Sequence, residues 1–267
     1  MQALAEAGIP RSEAHLEALI LLAQAQGKDK AWVLAHPEHR PSVAECERYR
    51  AWLRRRMQRE PLAYIVGEKA FFGRRFLVGP AVLIPRPETE CVVEAALGCI
   101  RAHRAPRVLD LGTGSGCIAI TIACARPDAE VWAVDVSRAA LALARANARR
   151  HGAQVRFLRG HWYAALPEDT PPFDLIVSNP PYVAESERTQ LAPELGYEPD
   201  AALYAGQDPH AALRAVLEGA VDWLAPQGAC VVECGVHGLL PPPRGLVLVE
   251  EVRDLAGLVR GGIYRRC

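Results

Sequence analysis

From Pro87 onward the chain alternates short β-forming apolar runs with helix-patterned stretches, and this alternation restricts its fold more than any other feature. Strands are expected at residues 107–111, 130–136, 155–159, 173–178, 230–234, 246–252 and 262–266, with helices over 88–102, 116–124, 138–151 and 209–224. Strands that read as nearly continuous apolar runs are buried on both faces. The expected fold class is therefore α/β, a Rossmann-like, seven-stranded, mostly parallel sheet covered by helices. Pro241-Pro-Pro limits the crossover between Glu233 and Leu246 to a very short helix at most, because proline lacks an N–H and clashes inside a helix.

Upstream, residues 11–60 follow helical spacing, with Leu16, Leu19, Ile20 and Ala23 on one face and Val43, Cys46, Tyr49, Trp52, Leu53 and Met57 on another. Pro10, Gly27 and Pro41 divide this region into short helices. The second long helix carries Arg48, Arg50, Arg54, Arg55, Arg56 and Arg59, which read either as a solvated face or as a surface for an anionic partner. Residues 61–86 mix β-formers with glycines, as in Phe71-Phe-Gly-Arg-Arg-Phe-Leu-Val-Gly, and suggest a hairpin-like connection. The expected organisation is a small N-terminal helical domain over residues 1–75, a β-rich connector over 76–86 and an α/β domain over 87–267.

Lys plus Arg and Asp plus Glu are each 31, so no global field draws the chain to nucleic acid or to an anionic membrane. The most apolar stretch, Ala14 to Ala23, is interrupted by His15 and Glu17 and falls short of the about 18 residues that cross a bilayer. No signal peptide is expected from a start of Met-Gln-Ala-Leu-Ala-Glu. The eight cysteines form no Cys-x-x-Cys pair and read as buried, reduced thiols, with neither disulfides nor a metal expected. These features suggest a cytoplasmic protein without membrane association or stable nucleic-acid binding.

The first βα turn reads Val108-Leu-Asp-Leu-Gly112-Thr-Gly114-Ser-Gly116. Glycines at the end of a parallel strand let the backbone turn tightly and approach a ligand at the sheet's switch point. Their Gly-x-Gly-x-Gly spacing differs from the Gly-x-Gly-x-x-Gly of dinucleotide sites, which disfavours a dehydrogenase. The next strand ends at Asp135, 23 residues after Gly112, where a carboxylate can accept hydrogen bonds from both ribose hydroxyls of an adenosine. The alternative is a helix cap by Ser137 with Asp135 as a bystander. No Gly-x-x-x-x-Gly-Lys phosphate loop is present, which favours an adenosine without phosphates, and S-adenosyl-L-methionine is the common cofactor of that kind.

The fourth strand stops at Asn179-Pro180-Pro181-Tyr182. The two prolines fix a rigid corner and leave carbonyls without neighbouring amide donors. A planar amine entering it can give one N–H to the Asn179 side-chain oxygen and the other to the Pro180 carbonyl, while Tyr182 packs on its π-face. Holding both hydrogens aims a delocalised nitrogen at a methyl donor, and such orientation is worth about 7–11 kcal/mol. Methyl transfer to an sp² nitrogen follows, with Asn179, Pro180 and Tyr182 as the catalytic candidates.

With these motifs, Pro61-Leu-Ala-Tyr-Ile-Val-Gly-Glu, Leu83-Ile-Pro-Arg-Pro-Glu-Thr-Glu90, Glu198-Pro-Asp-Ala-Ala-Leu203 and Asp254-Leu-Ala-Gly257, nearly the whole chain resembles the release-factor glutamine N5-methyltransferases. The resemblance implies methylation of the glutamine in the Gly-Gly-Gln loop of peptide-chain release factors. It implies that Gly112, Thr113, Gly114, Ser115, Gly116 and Asp135 bind S-adenosyl-L-methionine, with Trp162 beside the adenine and Asn179 also touching the cofactor. Asn179, Pro180, Pro181 and Tyr182 would hold the substrate glutamine, and the N-terminal helices would help dock the release factor; a monomer is expected. Three departures stand out: His161 where the family usually has an acidic residue, Glu233-Cys-Gly-Val-His237 in place of Glu-x-Gly-x-x-Gln, and Gly257-Leu-Val-Arg260 in place of Gly-Arg-Asp-Arg. The first bears on cofactor affinity and the other two on packing of the final strands. Two other readings are an adenine-N6 methyltransferase on DNA or RNA, disfavoured by the zero net charge, and a catalytically weak module that binds S-adenosyl-L-methionine or release factors.

Overall fold

The N-terminal helical pattern resolves into α1 (Gln2–Glu6), α2 (Arg11–Ala25), α3 (Lys30–Ala35), α4 (Val43–Met57) and α5 (Leu62–Val66). Side chains close the starts of α3 and α4: Asp29 accepts from the Trp32 N–H at 2.7 Å, and Ser42 with Glu45 forms a capping box before α4. Leu4, Ile9 and Ala14 form a small core against Ala18 and Leu53. The arginines of α4 do not share one role. Arg48, Arg50 and Arg54 are exposed, whereas Arg56 is only 4% exposed.

The computed structural model describes residues 1–267. They form two units, residues 1–68 with 192–197, and residues 69–191 with 198–267. In the expected hairpin region, α5 precedes the paired strands β1 (Glu68–Phe71) and β2 (Arg74–Leu77). Their two-residue turn has positive φ at Phe72 and Gly73, as a tight hairpin turn requires.

The second unit continues with α6 (Thr89–Cys99), β3 (Arg107–Leu111), α7 (Cys117–Ala125), β4 (Glu130–Asp135), α8 (Arg138–His151), β5 (Val155–Arg159) and β6 (Phe173–Ser178). After short β7 (Val183–Ala184), α9 (Asp200–Leu203) and β8 (Tyr204–Gly206) come α10 (Ala211–Trp223), β9 (Leu224–Glu233), β10 (Leu246–Arg253) and β11 (Val259–Arg266). The seven-stranded sheet has the order β10-β11-β9-β6-β3-β4-β5. It is parallel from β9 to β5, and β11 runs antiparallel to both β9 and β10. No helix forms between β9 and β10, in keeping with the proline triplet.

Successive residues of each central strand face opposite sides, which produces two cores. Val108, Val131, Ala133, Leu175, Val177 and Val231 pack with residues of α6 and α7, while Leu109, Leu111, Trp132, Val134, Ile176 and Val232 pack with residues of α10. Helix α7 is buried from Cys117 to Ala123, which explains its lack of a polar face. The connections after β3 and β6 depart toward opposite edges of the sheet, making the carboxyl ends of these strands a switch point. All eight cysteines are free thiols; Cys117, Cys230 and Cys234 are buried, four others are half-buried, and Cys267 is exposed, contrary to a uniformly buried set. No helix is long and apolar enough to cross a membrane.

Candidate functional site

Gly112, Gly114 and Gly116 all have positive φ, so the chain after β3 makes a left-handed excursion at every second residue. Gly112 and Thr113 donate their N–H groups to the Val134 carbonyl at 2.9 and 3.0 Å, tying the turn to β4. At Gly116 a Cβ would lie 2.7 Å from Ile120 and 3.2 Å from Ala144, so this residue also permits α7 to approach α8. A Cβ on Gly112 would reach to 3.5 Å from the Trp162 ring, which defines the closest wall opposite the turn.

Two carboxylates organise this turn. Asp110 is fully buried, accepts from the Thr113 hydroxyl at 2.6 Å and the Ala119 N–H at 3.2 Å, and leaves Oδ1 without a partner. Burial pushes its carboxyl up to about 7 despite those hydrogen bonds. Asp135, at the end of β4, accepts the Gly114 N–H on Oδ2 and the Ser137 N–H on Oδ1, each at 2.8 Å, and burial raises its pKa too. Ser137 caps α8 by accepting from the Ala140 N–H at 3.1 Å. The cap and the ligand-facing carboxylate, alternatives in sequence, therefore coexist: an ionised carboxylate has about four lone-pair sites, and two remain on a side chain that lines a cavity.

That cavity measures about 580 Å³. Gly112, Thr113, Gly114, Ser115, Asp135, Trp162 and Asn179 line it, together with Pro181; Gly116, Pro180 and Tyr182 do not. Trp162 is held at φ +46° at the start of a short 3₁₀ turn, an unusual conformation for a bulky residue that turns its ring toward Gly112. His161 also lines the cavity, and its ring meets Trp162 edge-on with centroids 5.5 Å apart.

At the end of β6, Pro180 is buried while Asn179, Pro181 and Tyr182 are half-buried. Asn179 Nδ2 donates to Thr89 Oγ1 at 3.3 Å, and the Tyr182 hydroxyl donates to Glu233 Oε1 at 3.4 Å. Glu233 is 2% exposed and its Oε2 has no partner. Burial pushes its carboxyl up to about 7 and raises the Tyr182 phenol as well. Gly235 gives Tyr182 its seat, since a Cβ there would lie 2.5 Å from the ring. The Glu233-Cys-Gly stretch thus supports the Asn-Pro-Pro-Tyr corner and does more than pack the final strands.

Sequence reasoning missed Thr89, Arg86 and Glu198 as parts of the site. Thr89 and Arg86 line the cavity; Arg86 reaches Glu198 at 2.5 Å, and Glu198 also accepts from the Ile84 N–H at 2.9 Å. The strings Leu83 to Glu90 and Glu198 to Leu203 were family marks without assigned roles, and they are joined by this pair of a half-buried Arg86 and a buried Glu198. The available signal was chemical, an Arg between two prolines and a Glu before another.

Comparison with known proteins places these features in context. The family description "Methyltransferase small domain" matches residues 93–204, and "PrmC N-terminal domain" matches residues 1–67. A protein named release factor glutamine methyltransferase from Bordetella pertussis is 45% identical over 96% of this chain and 95% of its own length. One of the same name from Nitratidesulfovibrio vulgaris is 42% identical, covering 98% and 90%. Among solved structures, TrmN from Thermus thermophilus aligns with a TM-score of 0.50 at 27% identity, over 66% of this chain and 48% of that one. A T. thermophilus 16S rRNA methyltransferase, RsmC, in complex with AdoMet and guanosine shares the fold at TM-score 0.52 and 18% identity, over 74% of this chain and 49% of its own.

Proposed function

The chain belongs to the release factor glutamine methyltransferase family, and from that premise we propose that it methylates the side-chain amide nitrogen of the glutamine in the Gly-Gly-Gln loop of peptide-chain release factors. The methyl donor in this reading is S-adenosyl-L-methionine, which supplies an electrophilic methyl on a sulfonium when bound. The residues present fit it: Asp135 retains acceptor sites for a ribose, Trp162 offers a flat wall for the adenine, and Gly112 and Gly114 present no side chain to the cavity they line. His161, where the family usually has an acidic residue, lies beside Trp162 and offers a ring nitrogen as acceptor in its neutral form.

The single observation that carries the reaction is the state of Asn179. Its Nδ2 is committed to Thr89, so its Oδ1 is the acceptor left at the rim of the cavity that Asp135 lines. A glutamine amide is planar and donates two N–H bonds, one to Asn179 Oδ1 and one to the Pro180 carbonyl in this reading. That hold orients a weakly nucleophilic nitrogen toward the methyl, and Tyr182 flanks the corner. No strong base is needed, because the nitrogen becomes acidic as it gains the methyl. The helices of residues 1–68 are assigned to docking the release factor, with exposed Arg48, Arg50 and Arg54 available to an anionic surface.

The test is incubation with labelled S-adenosyl-L-methionine, a purified release factor and, separately, DNA, followed by mass mapping. The expected label is on the Gly-Gly-Gln glutamine alone. Asn179→Ala is expected to lower methyl transfer by orders of magnitude while cofactor affinity changes much less, because the lost hydrogen bond acts on the nitrogen in the transition state. Label on DNA adenine instead, or wild-type rates from Asn179→Ala, would overturn this assignment.

A further inference from the structure

An asparagine that must accept from its substrate faces an ambiguity, because a half-turn of its amide exchanges the oxygen for an N–H₂ of nearly the same shape. With the wrong end forward, donor would meet donor. Thr89 alone does not resolve this, since a hydroxyl both donates and accepts and can satisfy either end of Asn179. Resolution requires a neighbour that is an acceptor only, and Glu233 is such a group.

Glu233 is almost fully buried at the end of β9 with its Oε2 unpartnered, and the side chains of Thr89, Tyr182 and Asn179 lie around its carboxyl. An ionised carboxylate with a free oxygen beside Thr89 can take the Thr89 hydroxyl hydrogen. The Thr89 oxygen is then left to accept, and the 3.3 Å contact with Asn179 Nδ2 has that polarity. The Tyr182 hydroxyl reaches the same carboxylate at 3.4 Å, so this buried group also holds the tyrosine of the Asn-Pro-Pro-Tyr corner. We propose that Thr89 and Glu233 are positioning residues for methyl transfer, forming a one-way hydrogen-bond chain that keeps the Asn179 oxygen turned toward the substrate nitrogen. The assignment of the substrate nitrogen rests on the function proposed above; the polarity of the chain does not.

Protonation reverses the logic. A neutral Glu233 carries a hydrogen that it can give to Thr89, whose own hydrogen is then released toward the Asn179 oxygen. Burial pushes Glu233 up to about 7, so the change falls near neutral pH. The other ionisable groups around it are Glu88, which opposes its ionisation, and the thiols of Cys91, Cys117 and Cys234; Arg86 and Arg260 act on its partner Tyr182.

The experiment uses the full-length chain with S-adenosyl-L-methionine and a release factor, and compares wild type with Thr89→Val, Thr89→Ser and Glu233→Gln. Wild-type kcat is expected to rise as pH passes upward through about 7. Thr89→Val is expected to lose at least about tenfold in kcat with cofactor Kd within about twofold, and Thr89→Ser to recover most of the loss. Glu233→Gln, which presents an N–H₂ in place of one acceptor, is expected to be slow and to lack the pH-dependent limb. A second readout, the side-chain amide signals of Asn179 in nitrogen-15 NMR, is expected to shift in Thr89→Val and Glu233→Gln and to return in Thr89→Ser.

Thr89→Val at wild-type kcat, a pH limb that survives in Glu233→Gln, or Asn179 signals unmoved by either substitution would overturn the proposal. Failure of the substrate assignment looks different. The wild-type protein would then leave the release factor unmethylated, while the Asn179 signals would still report whether Thr89 and Glu233 set the amide's direction.

Discussion

Asp135 accepts a backbone N–H on each carboxylate oxygen and still lines the cavity, so its substitution removes bonds to the glycine turn as well as those offered to a ribose. Charge-assisted hydrogen bonds are worth roughly 1.5–3 kcal/mol each before non-additivity. Asp135→Ala is therefore expected to weaken S-adenosyl-L-methionine binding by about 10- to 100-fold with the fold retained, as calorimetry can measure; unchanged affinity would remove Asp135 from the site. Asp110 makes a different prediction, about pH. Its carboxyl titrates near 7 in the folded state and near an ordinary aspartate value when unfolded, so between those values the folded chain holds a proton that the unfolded chain has lost. Stability contributed by this group is present at low pH and declines as pH rises from about 4 to about 7. The stability of Asp110→Asn relative to wild type is expected to improve over that window, by an amount on the order of 4 kcal/mol at most. Denaturant titrations of both proteins at pH 4.5 and 7.5 would show it, and a constant difference would contradict it.

At the scale of elements, the turn between β3 and α7 is the most demanding piece of backbone. Gly116 combines φ +82° with a Cβ position 2.7 Å from Ile120. The left-handed conformation penalises other residues by about 1–2 kcal/mol, and crowding a packed helix pair adds roughly 1–3 kcal/mol. Gly116→Ala is expected to lower stability by about 2–5 kcal/mol in equilibrium unfolding, whereas Gly114→Ala, with nothing within 4 Å of its Cβ position, meets only the backbone strain. Equal losses from the two substitutions would show that the α7–α8 approach is not the constraint. Elements bounded by such residues were legible in sequence: β3, β5, β6 and α8 have their expected limits because glycine, proline or a serine cap closes them. β9 was not, since it starts at Leu224 rather than at residue 230. Pro226-Gln-Gly reads as a turn, yet a register shift opposite Phe173 and Leu175 carries the strand through it. The sequence also hid the proximity of Thr89 and Glu233. Neither carries a local pattern, and only the parallel sheet brings the start of α6 to the end of β9.

The whole molecule is two units of one chain that passes between them three times. The sequence changes from helical periodicity to β-formers with glycines at residue 61, but nothing in it marks residues 192–197 as belonging with the N-terminal helices. What assigns them is charge: Arg56 is buried and bonds Glu17 at 2.8 Å and Glu194 at 2.9 Å, while Arg59 holds the other Glu194 oxygen at 2.8 Å. A charge taken out of water in this way must keep its partners, and breaking a buried pair by removing one member typically loses 3–5 kcal/mol. The cavity, by contrast, is lined entirely by residues of the other unit. A ligand stabilises whatever must be folded to bind it, by an amount that grows with ligand concentration over Kd. Scanning calorimetry is therefore expected to resolve two transitions. Arg56→Ala should lower the one belonging to the helical unit by the equivalent of about 3 kcal/mol. Saturating S-adenosyl-L-methionine should raise only the other, in wild type and variant alike. A single transition that moves with both perturbations would mean that the units unfold together, and that the ion-pair cluster around Arg56 stabilises the methyltransferase fold as much as the helices that contain it.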